Sequence, residues 1–206
     1  MKEYKTVENE SSDEFAEKKS KFIGYVKPVK TQQEAVNFIN SIKSKHWDAT
    51  HNVSAYVLRE NNIQRSSDDG EPSGTAGVPV LDVLIKEHLV DVCVVVTRYF
   101  GGVLLGAGGL IRAYSHASKI AVESGSIITM APCKILSVSV DYSFYDRLII
   151  LLNDIGANIE NSDFADVVTV KFTIKAEYTD TFCEKLTEQS NGKYKITEVG
   201  EKFAKV

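Results

Sequence analysis

The sequence predicts an α+β fold divided into two domains, and three observations support this prediction. The chain has 206 residues, of which 43% are hydrophobic and 25% are charged, values typical of globular proteins with one large or two small domains. Its hydrophobic residues switch repeatedly between the periods of strands and helices. After Pro132 the predicted elements follow the order β-α-β-β-α-β, which is typical of the ferredoxin-like motif. We therefore predict domains at 1–132 and 133–206.

The first predicted elements are a strand and a helix that follow a polar segment ending at Lys21. Residues 22–26 are mostly apolar and predict a strand, which Pro28 ends. Thr31 and Glu34 have the spacing of a capping box and predict a helix that begins after Thr31. No element is predicted before Lys21.

The rest of the first domain is predicted to contain two strands, two helices and one long loop. Alternating apolar and polar residues predict a strand at 52–58, and the polar stretch 60–77 is predicted to be a loop. A helix is predicted at 79–88, where a proline suits the first turn. The nearly unbroken β-branched run at 89–97 predicts a strand that is buried on both faces. A glycine-rich turn then leads to a predicted helix at 109–124, which a glycine ends.

The second domain is predicted to contain four strands and two helices. The predicted strands are 133–142, 158–163, 167–176 and 194–199, and the predicted helices are 143–155, with Ser143 as its cap, and 179–189. A length of about seventy residues suits a small independent domain.

The charge of the chain argues against a strongly cationic nucleic-acid binder. Lys and Arg number 24 against 28 Asp and Glu, so that the net charge is −4. Binding depends on the field at one face, however, and a basic patch on an acidic chain remains compatible with nucleic acid.

The cysteines and the apolar runs indicate the cellular compartment of the protein. Cys93, Cys133 and Cys183 form no C-x-x-C pair, which argues against a disulfide framework or a zinc knuckle and fits a reducing compartment. The charged N-terminus lacks the apolar region of a secretory signal, and no apolar run approaches the length that spans a bilayer. We expect a cytoplasmic protein without a membrane partner.

The first candidate site is the acidic loop that precedes the helix at 79–88. Its candidate residues are Asp68, Asp69, Glu71, Ser73, Gly74, Thr75 and Gly77. The three carboxylates are hard oxygen ligands suited to magnesium or calcium, although no EF-hand spacing is present, whereas the glycines can turn N–H groups toward a phosphate. The alternative is a polar surface turn in which Asp68 and Asp69 accept hydrogen bonds from neighbouring backbone donors.

The second candidate site is the glycine-rich segment between the strand at 89–97 and the helix at 109–124. Its candidate anion-binding or nucleic-acid-binding residues are Arg98, Tyr99, Gly101, Gly102, Gly106, Gly108, Gly109, Arg112 and Tyr114. Glycines allow close backbone approach, and the free N–H groups of a first helical turn favour negative charge. The segment is neither a Walker A loop nor a complete G-x-G-x-x-G fingerprint. The alternatives are tight strand-to-helix packing for the glycines and core packing for the aromatic residues.

Enzymatic chemistry has weaker support in the sequence. His51 is the strongest candidate of the four histidines, because it precedes a predicted strand and is expected to face the acidic loop, although a structural role is the alternative. No G-x-S-x-G elbow, H-E-x-x-H motif or cysteine with an evident base is present. The catalytic residues therefore stay unassigned, and no cofactor is predicted.

The two candidate segments together resemble the two signatures of the IMPACT family in its bacterial YigZ-like form. The matching segments are 68–77, 97–102 and 105–114, with His51 and Ala55 on the upstream strand and a similar opening at 19–24. The resemblance extends from about Glu14 through the second domain.

The resemblance implies a fold for each domain and a role in translation. The first domain would adopt the fold shared by a small-subunit ribosomal protein domain and RNase PH, and the second would resemble domain five of elongation factor G. RNA, the ribosome or a translation factor is the implied partner, and no oligomeric state is predicted. Eukaryotic members modulate the amino-acid-starvation response through an additional N-terminal domain that is not found in this sequence, so that role is not transferred.

Three functions therefore compete at this point. The first is regulation of translation through phosphate contacts made by Arg98, Arg112 and the glycine backbone. The second is a metal-dependent enzyme that acts on a nucleotide or phosphorylated substrate, and the third is a protein-interaction module. Alternatively, Arg98 and Arg112 form internal salt bridges with the carboxylates of the acidic loop.

Overall fold

The computed structural model describes residues 2–205 and divides them into two compact units. The first unit comprises residues 4–129, and the second comprises 130–205 together with residues 2 and 3. The helices of the described chain are α1 (Gln32–Lys45), α2 (Gly77–Lys86), α3 (Ala107–Ser124), α4 (Tyr142–Asp154) and α5 (Thr179–Ser190). The strands are β1 (Tyr4–Val7), β2 (Ser11–Glu17), β3 (Ser20–Pro28), β4 (His51–Leu58), β5 (Ile63–Ser67), β6 (Val92–Tyr99), β7 (Ile127–Val140), β8 (Asn158–Phe164), β9 (Val168–Lys175) and β10 (Ile196–Lys205). The predicted α+β class is confirmed.

The first unit is built on an antiparallel sheet in the order β2-β3-β6-β4-β5. Val94 and Val96 of the central strand β6 pack with α2 and α3 on one face. Cys93 and Val95 pack with α1 on the other face, and burial raises the pKa of the Cys93 thiol to about 12. Helices thus cover both faces of β6, as the β-branched run predicted.

The capping prediction for α1 is confirmed. Thr31 Oγ1 accepts a hydrogen bond from the Glu34 amide at 3.2 Å, and Glu34 Oε2 accepts one from the Lys30 amide at 2.7 Å. These bonds satisfy donors that the first helical turn leaves without intrahelical partners.

Polar strands that the sequence did not predict form the two edges of this sheet. β2 lies within the polar segment before Lys21, and the prediction of one loop over 60–77 is wrong because β5 pairs with β4 inside it. Both strands are largely exposed, so that neither has the apolar alternation of a half-buried strand. The true loop is reduced to residues 68–76.

The second unit confirms the predicted β-α-β-β-α-β order. Its strands lie in the order β10-β7-β9-β8, all antiparallel, and α4 and α5 contribute Leu148, Leu152, Phe182 and Leu186 to its core. The boundary predicted at 132/133 falls inside β7. The unit division precedes Met130.

The start of α4 differs from the prediction. The N-cap is Asp141 and not Ser143. The Asp141 side chain does not cap the helix, because its Oδ2 accepts hydrogen bonds from Lys193 Nζ and from Tyr194 Oη.

No helix in the described part of the chain is both long enough and apolar enough to cross a membrane.

Candidate functional site

Asp68 closes the loop that leads into α2. Its Oδ1 accepts hydrogen bonds from the amides of Ala76 (3.1 Å) and Gly77 (2.7 Å), and its Oδ2 accepts one from the Gly74 amide (2.9 Å). Burial raises the pKa of the Asp68 carboxyl, but the three amides lower it by more, so that it lies below its ordinary value. The N-cap residue of α2, Ala76, has no side chain that can cap the helix. Asp68 therefore caps α2 from a position eight residues earlier in the sequence.

Asp69 joins this loop to α1 and β4. Its Oδ1 accepts a hydrogen bond from Lys43 Nζ at 2.6 Å, and its Oδ2 accepts one from the Asn52 amide at 2.7 Å. Burial raises the pKa of the carboxyl, but these two donors lower it by more and hold it below its ordinary value. The Asp69 carbonyl in turn accepts a hydrogen bond from His51 Nδ1 at 2.8 Å, so that Nδ1 carries a proton.

Glu71 is the centre of a buried polar cluster that unites the two candidate segments. Its side chain is 3% exposed, and its Oε1 accepts hydrogen bonds from Arg98 Nη1 at 2.6 Å and from Tyr114 Oη at 2.7 Å. Burial, and then the Glu71 carboxylate, raise the pKa of Tyr114 well above its ordinary value. The internal salt bridge considered for Arg98 is therefore present in the structure.

Strand pairing explains how His51 reaches this cluster. His51 lies opposite Arg98 in the β4–β6 register, and its Nε2 is 3.8 Å from Glu71 Oε2. The guanidinium of Arg98 lies 5.5 Å from the ring centroid of Phe22 and 5.4 Å from that of Phe100. Its Nε is buried without a hydrogen-bond partner in the described chain.

The cation site considered for Asp68, Asp69 and Glu71 does not form. Each carboxylate binds a different set of protein donors, as described above, and within residues 2–205 no three His, Cys, Asp or Glu side chains are placed to hold one metal ion. The alternative interpretation, in which Asp68 and Asp69 accept hydrogen bonds from neighbouring backbone donors, describes Asp68 correctly, whereas Asp69 binds Lys43 and the Asn52 amide of β4.

The remaining residues of the acidic loop shape its backbone. Thr75 Oγ1 donates to the Pro72 carbonyl at 2.6 Å, and Gly74 has a φ of 75°, a conformation that favours glycine. A Cβ at Gly77 would lie 2.8 Å from the backbone of Ser67, so this glycine allows α2 to approach β5. Ser73 is exposed.

The glycine-rich segment packs against the β2–β3 hairpin. A Cβ at Gly101 would lie 2.0 Å from the Lys19 carbonyl oxygen, whereas Gly102 and Gly106 have positive φ values and open space around them. The hairpin turn consists of Lys18 and Lys19, both with positive φ. No turn signal in the sequence points to these two exposed lysines, because turns of this geometry favour Asn-Gly.

The start of α3 lacks a side-chain cap and an acidic residue in its first turn. Gly106 is the N-cap, and the first intrahelical bond runs from the Leu110 amide to the Gly106 carbonyl at 2.9 Å. Arg112 is exposed, and its Nη1 lies 3.6 Å from the position that a Cβ would take at Gly108. A Cβ at Gly109 would lie 3.0 Å from the Leu105 side chain.

The two tyrosines of the second segment have structural partners. Tyr114 is fully buried and so cannot stack on a base. Tyr99 Oη is 2.8 Å from His46 Nδ1 and donates to Asp48 Oδ1 at 3.1 Å. Phe100 is 43% exposed and is the aromatic residue of this segment that faces solvent.

Comparison with known proteins places these segments in a family context. Residues 18–122 match the family model of the Impact N-terminal domain, and residues 138–193 match a model described as a domain of unknown function, DUF1949. The chain is 43% identical to the IMPACT family member YvyE of Bacillus subtilis over 95% of this chain and 90% of that protein. It is 31% identical to the IMPACT family member YigZ of Escherichia coli over 89% and 92% of the two chains.

More distant matches cover different shares of the molecule. A protein IMPACT homolog of Saccharomyces cerevisiae is 29% identical over 56% of this chain and 46% of its own length. A crystal structure of a hypothetical protein superposes with a TM-score of 0.61 at 29% identity, covering 97% of this chain and 98% of the other.

Proposed function

The chain belongs to the IMPACT family, and we propose that it regulates translation by binding RNA at the start of α3. The contact surface consists of Lys18, Lys19, Arg112 and the backbone of Gly108 and Gly109, and we call it the α3 basic surface. The observation that carries the proposal is an uncapped helix N-terminus that has no acidic residue in its first turn and lies beside the cations of Arg112 and Lys18.

The electrostatics at the end of the helix favour an anionic ligand. The amides of Gly108 and Gly109 precede the first intrahelical bond, and the helix dipole adds positive potential at this end. Arg112 places a cation where the dipole favours an anion. A bound phosphate would relieve this repulsion and accept hydrogen bonds from both sources.

The hairpin brings a second cation, Lys18, to the same surface. The close approach of Gly101 to the Lys19 carbonyl fixes the hairpin turn beside the glycine-rich segment. Lys18 and Arg112 line one depression of about 280 Å³, together with His116 and one acid, Glu17. Two lysines with positive φ are conformationally costly, which supports a functional reason for their position.

The proposal assigns different roles to the two arginines of the second segment. Arg98 is bound to the buried Glu71 and supports the fold, so its charge is compensated internally. Arg112 has no ion-pair partner in the described chain and is exposed. The family resemblance supports translation as the setting, because RNA and the ribosome are the partners that it implies.

A binding titration tests the RNA interaction. Fluorescence anisotropy with a labelled single-stranded RNA is measured at several salt concentrations for the wild type, Arg112→Ala and Lys18→Ala/Lys19→Ala. We expect each variant to bind roughly fivefold more weakly, and its salt slope should be smaller by about 0.7 for each phosphate that the variant can no longer neutralise.

Lys119→Ala is the matched control, because Lys119 lies on the same helix and is exposed beside Glu123. It should bind RNA as the wild type does. Equal affinity and equal salt slope for the wild type and Arg112→Ala would contradict the proposed surface.

The role in translation is tested separately. Lysate is fractionated on sucrose gradients at low and high salt, and the protein is followed across ribosomal and free fractions. We expect salt-sensitive comigration with ribosomal particles for the wild type and Lys119→Ala, and its loss for Arg112→Ala. Recovery of the wild type in the free fractions alone at low salt would contradict the role.

A further inference from the structure

A second cavity opens on the other side of the α3 N-terminus, next to the buried Glu71 cluster. It has a volume of about 390 Å³, within the range of small-molecule sites. Its apolar lining includes Phe100, Leu104, Leu105 and Leu110. Its polar lining comes from His51, Glu71 and Arg98, and Ala107 brings the first turn of α3 to the same cavity.

The polar end of this cavity contains unused acceptors. Glu71 Oε1 receives both hydrogen bonds of the cluster, whereas Oε2 accepts none within residues 2–205. His51 Nδ1 donates to the Asp69 carbonyl, and Nε2, which is the acceptor atom when the ring is neutral, is 3.8 Å from Glu71 Oε2. One ammonium group can donate to both atoms.

The same end also contains unused donors. Arg98 is 5% exposed, and its Nε is buried without a partner in the described chain. Arg98 lines the cavity, and its guanidinium carries more N–H donors than its one bond from Nη1 to Glu71 uses. The amide of Ala107, at the uncapped start of α3, is a further donor at this end.

We propose that this cavity binds a free apolar α-amino acid. The ammonium group binds Glu71 Oε2 and His51 Nε2, and the carboxylate accepts hydrogen bonds from the Arg98 guanidinium and the Ala107 amide. The apolar side chain packs against Phe100, Leu104 and Leu110. A simple anion would meet the Glu71 carboxylate without compensation, whereas a zwitterion satisfies acceptors and donors together.

The wild-type protein provides the first test, in the absence of RNA. L-Leucine is titrated calorimetrically, followed by L-serine, L-leucinamide and N-acetyl-L-leucine. We expect one L-leucine per chain, and each derivative lacks one required group and should bind at least about tenfold more weakly. No detectable binding of L-leucine at 10 mM, roughly the weak limit for such a site, overturns the proposal. Equal binding of all four compounds overturns it as well.

Two variants locate the site. Glu71→Gln keeps the side-chain shape and an acceptor oxygen for Arg98 and Tyr114 but removes the charge that binds the ammonium, so L-leucine should bind at least about tenfold more weakly to the folded variant. Leu104→Ser changes a side chain that is 83% exposed and carries little folding risk. It should weaken L-leucine about fivefold, and unchanged affinity would contradict packing at this rim.

Lys119→Ala is the control and should bind L-leucine as the wild type does. Because no RNA is present, loss of RNA binding by Arg112→Ala and loss of leucine binding by Glu71→Gln are separate results. Each proposal can fail while the other holds.

Discussion

Glu71 in the first unit is bound by one arginine and one hydroxyl, and Glu160 in the second by two lysines and one hydroxyl, but their surroundings differ. The Glu71 side chain is 3% exposed, and the side chain of its partner Arg98 is 6% exposed. The Glu160 side chain is 22% exposed and binds Lys171 and Lys202, each more than 40% exposed, together with the Thr173 hydroxyl at 2.7 Å. The same ionic chemistry therefore occurs once inside a core and once on an open sheet face.

The difference shows how burial changes the role of an ion pair. Water can replace the lysines around Glu160, so removing one partner costs little. The side chains of Glu71 and Arg98 have little exposed area through which to recover hydration, so removing one leaves a largely buried charge. The first cluster thereby couples the acidic loop, β6 and α3, whereas the second adds a modest amount to an already formed sheet.

The largest expected effect tests the buried side of this comparison. Glu71→Ala leaves the Arg98 charge and the Tyr114 hydroxyl without their acceptor, and we expect the free energy of unfolding of the first unit to fall by about 3–5 kcal/mol. Urea titration, with unfolding monitored by hydrogen exchange of the β6 amides, measures this change in the free energy of unfolding.

A double substitution sharpens the same test. In Glu71→Leu/Arg98→Met both charges are replaced by apolar groups of similar volume, so most of the stability that Glu71→Ala loses should return. A double variant as unstable as Glu71→Ala would show that the loss comes from packing and not from the unpaired charge.

An intermediate effect is expected where the carboxylate binds backbone donors. Asp68→Ala removes the acceptor of three amides at the start of α2 and should cost about 1–2 kcal/mol. Asp68→Asn keeps one acceptor oxygen and should cost less.

The pH dependence identifies the charged form of Asp68 as the stabilising one. Because its folded pKa lies below the ordinary 3.8, its contribution is present above that pH and is lost as the pH falls through the lower folded value. The stability difference between the wild type and Asp68→Asn should therefore shrink on acidification. A difference that persists under strong acid would contradict the charge argument.

The smallest effect is expected at the exposed cluster. Glu160→Gln should lower the stability of the second unit by about 1 kcal/mol or less at neutral pH, and added salt should reduce this difference. The Lys202 ammonium, the Thr173 hydroxyl and the Lys171 ammonium lower the pKa of Glu160 from 4.5 to about 2, despite the opposing effect of burial.

The acid range provides the matching check for Glu160. Because the folded pKa is lowered, the stabilisation is present above pH 4.5 and is lost as the pH falls toward about 2. Hydrogen exchange of the β9 amides in the wild type and in Glu160→Gln measures this loss of stability. A loss as large as that of Glu71→Ala would remove the distinction between the two clusters.

The elements that bury an apolar face could be predicted from the sequence. β3, α1, β6 and α3 carry the hydrophobic periodicity of their own secondary structure, and the order of elements in the second unit follows from the same signal. β2 and β5 could not be predicted in this way, because they are edge strands with mostly exposed residues. Their pairing partners define them.

The candidate site shows the same division. Both motif segments and the candidate residue His51 could be identified from residue types, and the salt bridge of Arg98 was one of the alternatives. The lysines at 18 and 19 could not, because their importance depends on the approach of Gly101 to the hairpin turn.

The sequence by itself determined which segments are helices and strands with a buried face, because apolar periodicity is a local property of the chain. It also determined that the glycines and acidic residues lie next to regular elements. Only the tertiary structure decided which charges meet, since the β4–β6 register sets His51 opposite Arg98 and the folded loop brings Glu71 to both. Those contacts join residues far apart in the chain, and burial then decides which of their charges remain available to a ligand.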